Sequence, residues 1–319
     1  MRTQTRLLAA VGVVISCAAV PAAAAAAVPV SASAAVFGAG GIEPAPVAAA
    51  SPGSGRQAVY GGKTRGEDPM VLWANAKGSE VTGATFTFTV RCPSGDSWPV
   101  YGDLAVRPAP KGMAIPLGVF LEQVNTARRF RLSLLADLRA GDPYGALLTM
   151  TLNGTRGARK ASGTLDATVT ITNTQTMELV EVCEPAPVKW TAERAPGRVF
   201  GGTTAQHEPV VVKLNAKRSK VSELRLGWYT NDCTDPNQFM NYGDALYDFR
   251  LRGRRFGDAF SQDFPRDDGG SNRWEYDISG KVAKTRASGS FAASVTYNEP
   301  GGSQVTCRLP ATRWSAVSR

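Results

Sequence analysis

The chain has 319 residues, is 43% hydrophobic and 20% charged, and carries a formal net charge of +9. That is enough length and apolar content for two ordinary domains with real cores, which excludes a disordered charged polymer. Residues 57–195 have a net charge of +2 and residues 196–319 of +5, a mild cationic balance that argues against a dedicated nucleic-acid binder.

In chain order, the first feature is an export signal over residues 1–27. Arg2 and Arg6 give the positive start, and Leu7 to Val20 is an apolar run too short to span a bilayer comfortably. Pro21 breaks the run, and the alanines after it offer small-x-small cleavage sites. The alternative is a lipid anchor: "VISC", ending at Cys17, resembles a loose lipobox in which the cysteine is acylated. Residues 28–57 are nearly all Ala, Pro, Val, Gly and Ser, and cannot bury enough area to offset their ordering entropy. They read as a spacer. The mature chain is expected to hold no transmembrane helix.

From Val59 the sequence repeats itself. Val59–Val81 and Val199–Val221 match at 11 of 23 positions without a gap. Cys92 and Cys233 each stand nine residues before Tyr-Gly-Asp, and Cys183 and Cys307 each stand seven before Trp190 and Trp314. "LNGTRGARKASGTL" (Leu152 to Leu165) aligns with "ISGKVAKTRASGSF" (Ile278 to Phe291). Four ordered landmarks point to tandem copies, residues 58–195 and 196–319.

Within each copy the apolar residues alternate, as half-buried strands require. Phe86 and Phe88 alternate with threonines. Phe130, Leu132 and Leu134 share a face, as do Leu165, Ala167, Val169 and Ile171, and as do Trp274, Tyr276 and Ile278. No segment has a helical stripe. The expected fold is all-β, two tandem homologous β-sandwich or barrel-like domains of roughly seven to nine strands each. "Asn-Ala-Lys-x-Ser" (Asn75, Asn215) reads as a hairpin turn, and "Gly-Gly-x-Thr" (Gly61, Gly201) as a bend needing φ > 0.

An exported chain permits disulfides, and the duplication selects one pairing of the four remaining cysteines, Cys92–Cys183 and Cys233–Cys307. A metal centre has little support: there is no Cys-x-x-Cys, and the one histidine, His207, is replaced by Glu67 in the other copy. Trp190 and Trp314 are expected in their cores near the bridges.

No catalytic residues and no cofactor are assigned. One histidine cannot recur in a duplicated triad, and no phosphate-cradling glycine loop is present. "RDDGGSN" (Arg266 to Asn272) offers a weak set of calcium oxygens or a solvated loop. The first binding candidate is a matched group placed on the loop after the first cysteine: Trp98, Tyr101 and Asp103 in copy one, and Phe239, Tyr242 and Asp244 in copy two. Such rings stack on sugars with the carboxylate accepting hydroxyl hydrogen bonds, or else they cover the core edge. Tyr-Gly-Asp itself looks like a turn capped by the aspartate. The second candidate is basic: Arg250 and Arg252 on a strand face with Arg254 and Arg255 at a turn, echoed by Arg128, Arg129 and Arg131. Those arginines either touch an anionic polymer or keep a sheet edge soluble.

The pattern Phe/Tyr-Gly-Gly-x-Thr, a middle cysteine, Ala-Ser-Gly, and a cysteine followed by tryptophan resembles secreted bacterial β-domain proteins. The resemblance implies export and a β fold, and transfers no functional residue. The expected protein is secreted or cell-wall associated, without enzymatic activity, binding a cell-wall glycan or an anionic envelope polymer. A hydrolase using carboxylates, or a secreted inhibitor, is the alternative.

Overall fold

The computed structural model describes residues 57–95, 97–103, 119–126, 128–138, 144–184, 187–230, 232–235, 240–266 and 268–319. The signal segment, Cys17 and nearly all of the spacer lie outside these residues. The described part is all-β. The first body holds β1 (Ala58–Thr64), β2 (Pro69–Ala74), β3 (Val81–Arg91), β4 (Ser97–Asp103), β5 (Val119–Asn125), β6 (Arg129–Leu138), β7 (Tyr144–Arg156), β8 (Lys160–Asn173), β9 (Leu179–Cys183) and β10 (Val188–Glu193). The second holds β11 (Val199–Thr204), β12 (Pro209–Leu214), β13 (Lys220–Thr230), β14 (Met240–Arg250), β15 (Arg255–Pro265), β16 (Ser271–Val282), β17 (Arg286–Asn298) and β18 (Gln304–Val317).

The two bodies share one topology. In the second the strand order is β14-β13-β12-β11-β18-β17-β16-β15, so the first and last strands pair and close the meander on that side. In the first the order is β4-β3-β2-β1-β10-β8-β7-β6-β5, with β9 also on β8. The second body's eight strands fall within the expected seven to nine; the first has ten because two long strands of the second are each matched by two short ones in the first. β4 and β5 stand where β14 stands, and β9 and β10 where β18 stands. The register repeats as well: Gly62 opposes Ala192 as Gly202 opposes Ala316, and Gly163 opposes Trp190 as Gly289 opposes Trp314.

Each body has its own interior, built by the alternation read above. Tyr60, Phe86, Phe88, Leu132, Leu152 and Trp190 are buried in the first, and Phe200, Leu226, Trp228, Ile278, Phe291 and Trp314 in the second. A third cluster, Val59, Val71, Trp73 and Val211, forms the seam between them from the opposite faces of β1, β2 and β12. Each body carries one disulfide, Cys92–Cys183 and Cys233–Cys307. The sequence separations of 91 and 74 imply about 4–5 kcal/mol each in the chain-entropy account. Bridges of this kind fit an oxidising compartment. Among the described residues no helix is long and apolar enough to cross a membrane.

Two local expectations are corrected. The Gly-Gly-x-Thr glycines do not bend the chain; they lie inside β1 and β11 because a side chain has no room there. A Cβ at Gly62 would stand 1.9 Å from the Thr191 carbonyl oxygen, and one at Gly202 1.9 Å from that of Ser315. Gly61 and Gly201 face the seam, where a Cβ would meet Val211 at 2.8 Å and Val59 at 2.6 Å. The tryptophans are buried but not beside the bridges. Along β8, Cys183 opposes Val169 while Trp190 opposes Gly163, six positions apart or about 20 Å of strand. They sit instead on glycine: a Cβ at Gly154 would be 2.6 Å from the Trp190 ring, and one at Gly280 2.8 Å from that of Trp314.

Candidate polyanion-binding end

Strands that alternate in direction deliver their turns to two ends of the molecule. One end collects the turns after β2, β5, β7, β12, β14 and β16, and the Arg194–Arg198 link between the bodies. The other end collects the turns after β1, β3, β8, β11, β13, β15 and β17. Charge divides the same way. The segments 75–80, 126–131, 156–160, 194–198, 213–220, 250–255 and 281–286 at the first end hold 20 of the chain's 36 Lys/Arg and one acidic residue, Glu80. The segments 65–68, 174–178, 205–208, 232–235, 266–270 and 299–303 at the second end hold nine Asp/Glu and two Arg. A net charge of +9 conceals this polarity, because it sums over both ends.

The cationic end is built from tight turns. After β2, the Asn75 side chain accepts a hydrogen bond from Ser79 N at 2.9 Å, and after β12 Asn215 accepts from Ser219 N at 2.9 Å, so the Asn-Ala-Lys-x-Ser hairpin reading holds in both bodies. The fourth position of that turn is left-handed in each: Gly78 at φ +64°, but Arg218 at φ +54°. After β14, Arg252 and Arg255 exchange backbone hydrogen bonds of 2.8 and 3.0 Å around Gly253 (φ +56°) and Arg254 (φ +70°). This is a two-residue hairpin with both central residues left-handed, where glycine or asparagine fits best at the second position. It fans Arg250, Arg252, Arg254 and Arg255 into solvent, all four exposed.

In the first body a groove of about 1300 Å3 runs over this end. Lys77, Arg128, Arg129 and Lys160 line it and are exposed, and none has a carboxylate partner among the described residues. Arg156 is buried at its floor and donates to the Gly78 carbonyl and, at 2.5 Å, to that of Ser79, so it holds the β2–β3 turn rather than facing a ligand. The second body reaches the same groove through Lys213, which bridges Glu193 at 3.4 Å and Glu223 at 3.1 Å. Around the link, Arg194 Nε donates to the Arg319 carbonyl at 2.9 Å and Gly197 N to Ser318 Oγ at 2.6 Å. The two cationic ends are thus tied together at the seam.

The aromatic and carboxylate candidates fall elsewhere. Residues 97–103 and 240–250 are strands, not loops, so Tyr-Gly-Asp is no turn in either copy. The backbone puts Trp98, Tyr101 and Asp103 on β4; their side chains, and Phe239 altogether, lie outside the described residues. In the second body the group points inward. Asp244 is buried and accepts hydrogen bonds from Trp228 Nε1 and, at 2.9 Å, from the Tyr276 hydroxyl. Burial pushes its carboxyl up to about 6, with those two donors opposing the rise. Tyr242 is half-buried, edge-on to Trp274 with ring centroids 4.6 Å apart, its hydroxyl 2.5 Å from that of Tyr297. Asp244 and Tyr242 are therefore core-packing groups, and a sugar cannot stack where Trp274 already lies. Of the two readings the sequence left open, packing against the core is the one the second body shows; the sequence alone could not choose, because a strand carrying Tyr-x-Asp inward looks the same as one carrying it outward.

Two further candidates close in the same way. Asp268 accepts from Gly270 N at 2.9 Å and pairs with Arg266, which also holds Glu299 at 2.8 Å, so the "RDDGGSN" turn is held by its own ion pairs. Glu181 lies beside Cys92 and Cys183, but those sulfurs are bonded to each other and supply no thiolate ligand.

A different set of carboxyls went unread in the sequence. At the seam, the turn after β11 presses Glu208 against the first body: its Oε2 accepts from the Thr87 hydroxyl at 2.9 Å, and its Oε1 is buried without a hydrogen-bond partner. Burial pushes this carboxyl up to about 7. The matching turn after β1 presents Asp68, likewise raised by burial to about 6. Next to it Arg225, fully buried, donates to Glu67 Oε2 at 2.6 Å and to the Glu67 carbonyl across the seam, and to Glu223 in its own body.

No family model matches the chain, and no curated protein matches it. Among solved structures, a protein of Nitrosomonas europaea provisionally described as AttH aligns at 9% identity over 82% of this chain and 90% of that one, with a TM-score of 0.18. A likeness that low carries no argument about fold or function.

Proposed function

We propose that this is an exported, non-enzymatic binding protein of the cell envelope or extracellular space that holds an anionic polymer on its cationic end. One observation carries the reading: equivalent turns of both bodies concentrate Lys and Arg at one end of the molecule, with Glu80 the one carboxylate inside those turns. Arginines that serve only to keep sheet edges soluble need no such segregation, since any exposed position does that. Guanidinium groups suit the role, because each offers a planar fork of donors to phosphate, sulfate or carboxylate oxygens. The signal segment and the two disulfides support an extracellular setting.

The test is retention on an immobilised polyanion such as heparin or a wall teichoic acid, eluted by salt. The protein should bind at low salt and release as salt screens the contact. The variant Arg250→Gln/Arg252→Gln/Arg254→Gln/Arg255→Gln should elute at clearly lower salt with unchanged melting. Elution of parent and variant at the same salt would show that the cations are only a solubilising surface.

A further inference from the structure

Resting on that reading, we infer that the two bodies grip one and the same linear polyanion, which crosses the seam from the rim of the first to the rim of the second. Two separate sites would need no particular placement. Here the link between them, Arg194–Arg198, is five residues long and spans at most about 17 Å when extended. It is also clamped at both ends, by Arg194 on Arg319 and by Gly197 on Ser318.

Cations stand on both sides of that clamp. Arg128 and Arg129 stand at the groove in the first body, and Lys213 of the second body lines the same groove. Gly197 then lies under the Arg218 side chain, a Cβ there falling 3.2 Å from the guanidinium. Beyond it, Leu251 N donates to the Ser219 carbonyl at 3.0 Å, which sets the β14–β15 turn carrying Arg254 and Arg255 beside the Arg218 turn, with Asp248 on that rim paired to Lys220 at 2.6 Å. Glu193 is the carboxylate that lines the path in the groove; Lys213 is shared between it at 3.4 Å and Glu223 at 3.1 Å, so the crossing relies on the arginines to either side. A chain with a charge on every repeat meets a positive partner on each side of the seam. The second rim then binds at the high effective concentration set by the first.

Calorimetric titration with tripolyphosphate and with long-chain polyphosphate tests this on the folded, disulfide-bonded protein. The long chain should bind one per protein and at least about tenfold tighter than the short one. Arg128→Gln/Arg129→Gln and Arg254→Gln/Arg255→Gln each remove one rim by changing exposed side chains only. Either variant should lose most of the gain from chain length while still binding tripolyphosphate on the rim that remains. Overlapping registers on a long chain help parent and single-rim variants alike, so a length gain that survives in both variants overturns bridging. Two long chains per protein overturn it as well. If neither probe binds at low salt, or if only vesicles containing anionic lipid bind, the polymer reading itself falls, an outcome distinct from binding without bridging.

Discussion

Arg218 and Arg254 occupy left-handed backbone positions that any side chain but glycine enters at a cost of about 1 kcal/mol or more. The first body puts Gly78 at the position matching Arg218, so glycine is accommodated by this turn. A charged side chain kept at a strained position is explained if it contacts a ligand. Arg218→Gly should therefore raise the urea midpoint by about 0.5 kcal/mol in stability, the relief of strain offset by glycine's extra unfolded freedom. The same change should lower polyanion affinity. A variant that gained stability and kept its affinity would leave the arginine without this role. Asp244 teaches the opposite lesson. It recurs at the place of Asp103 and looks like a binding carboxylate, yet Trp228 and Tyr276 bind it from within the core. Matched positions between copies report shared packing as readily as shared function.

At the level of elements, two equivalent turns dock the bodies, and each brings a carboxyl into a dry seam. Glu208 has its folded pKa raised from 4.5 to about 7. A raised carboxyl binds its proton more tightly when folded. Its stabilising effect is complete below pH 4.5 and is lost as pH rises towards 7, a change of about 3 kcal/mol. Asp68 and Asp244, both raised to about 6, act in the same sense over a slightly lower window. Glu67 and Glu223 act oppositely: against burial, which raises both, Lys63 and then Arg225 hold Glu67 below the ordinary carboxylate range, and Arg225 and then Lys213 hold Glu223 there. Their contribution is lost only as pH falls below about 4.5. The melting temperature should thus decline between pH 5 and pH 7, and Glu208→Gln should flatten that decline; an unaltered slope would show that Glu208 is not the titrating group.

These elements also mark what was legible. Alternation of apolar residues in Phe130–Leu134 and Trp274–Ile278 is a local property, and it predicted strands that the structure contains. The cysteine pairing followed from copy symmetry. The role of Gly62 and Gly202 was not legible, because close approach to Thr191 and Ser315 depends on which strand lies next to β1 and β11. Glu208 was invisible for the same reason: its burial comes from the other body, 121 residues away from Thr87 in sequence.

For the whole molecule, the net charge is a poor guide and its distribution a good one. The cationic turns and the acidic turns lie at opposite ends, which gives the molecule a direction. The described chain also begins at the cationic end: Ala58 N bonds Asn75 O at 3.4 Å, and Val59 N bonds the Arg319 carbonyl at 3.4 Å. Anything attached ahead of Ala58 hangs from the same pole as the arginines. Held on a solid support by that leash, the protein would turn its positive pole down against the support and its acidic pole outward. Held instead through a cysteine placed at Gly301, in the turn after β17, it would offer the arginines to solution. Long polyphosphate should be captured readily in the second orientation and poorly in the first. Equal capture would mean that the leash leaves the pole free to swing.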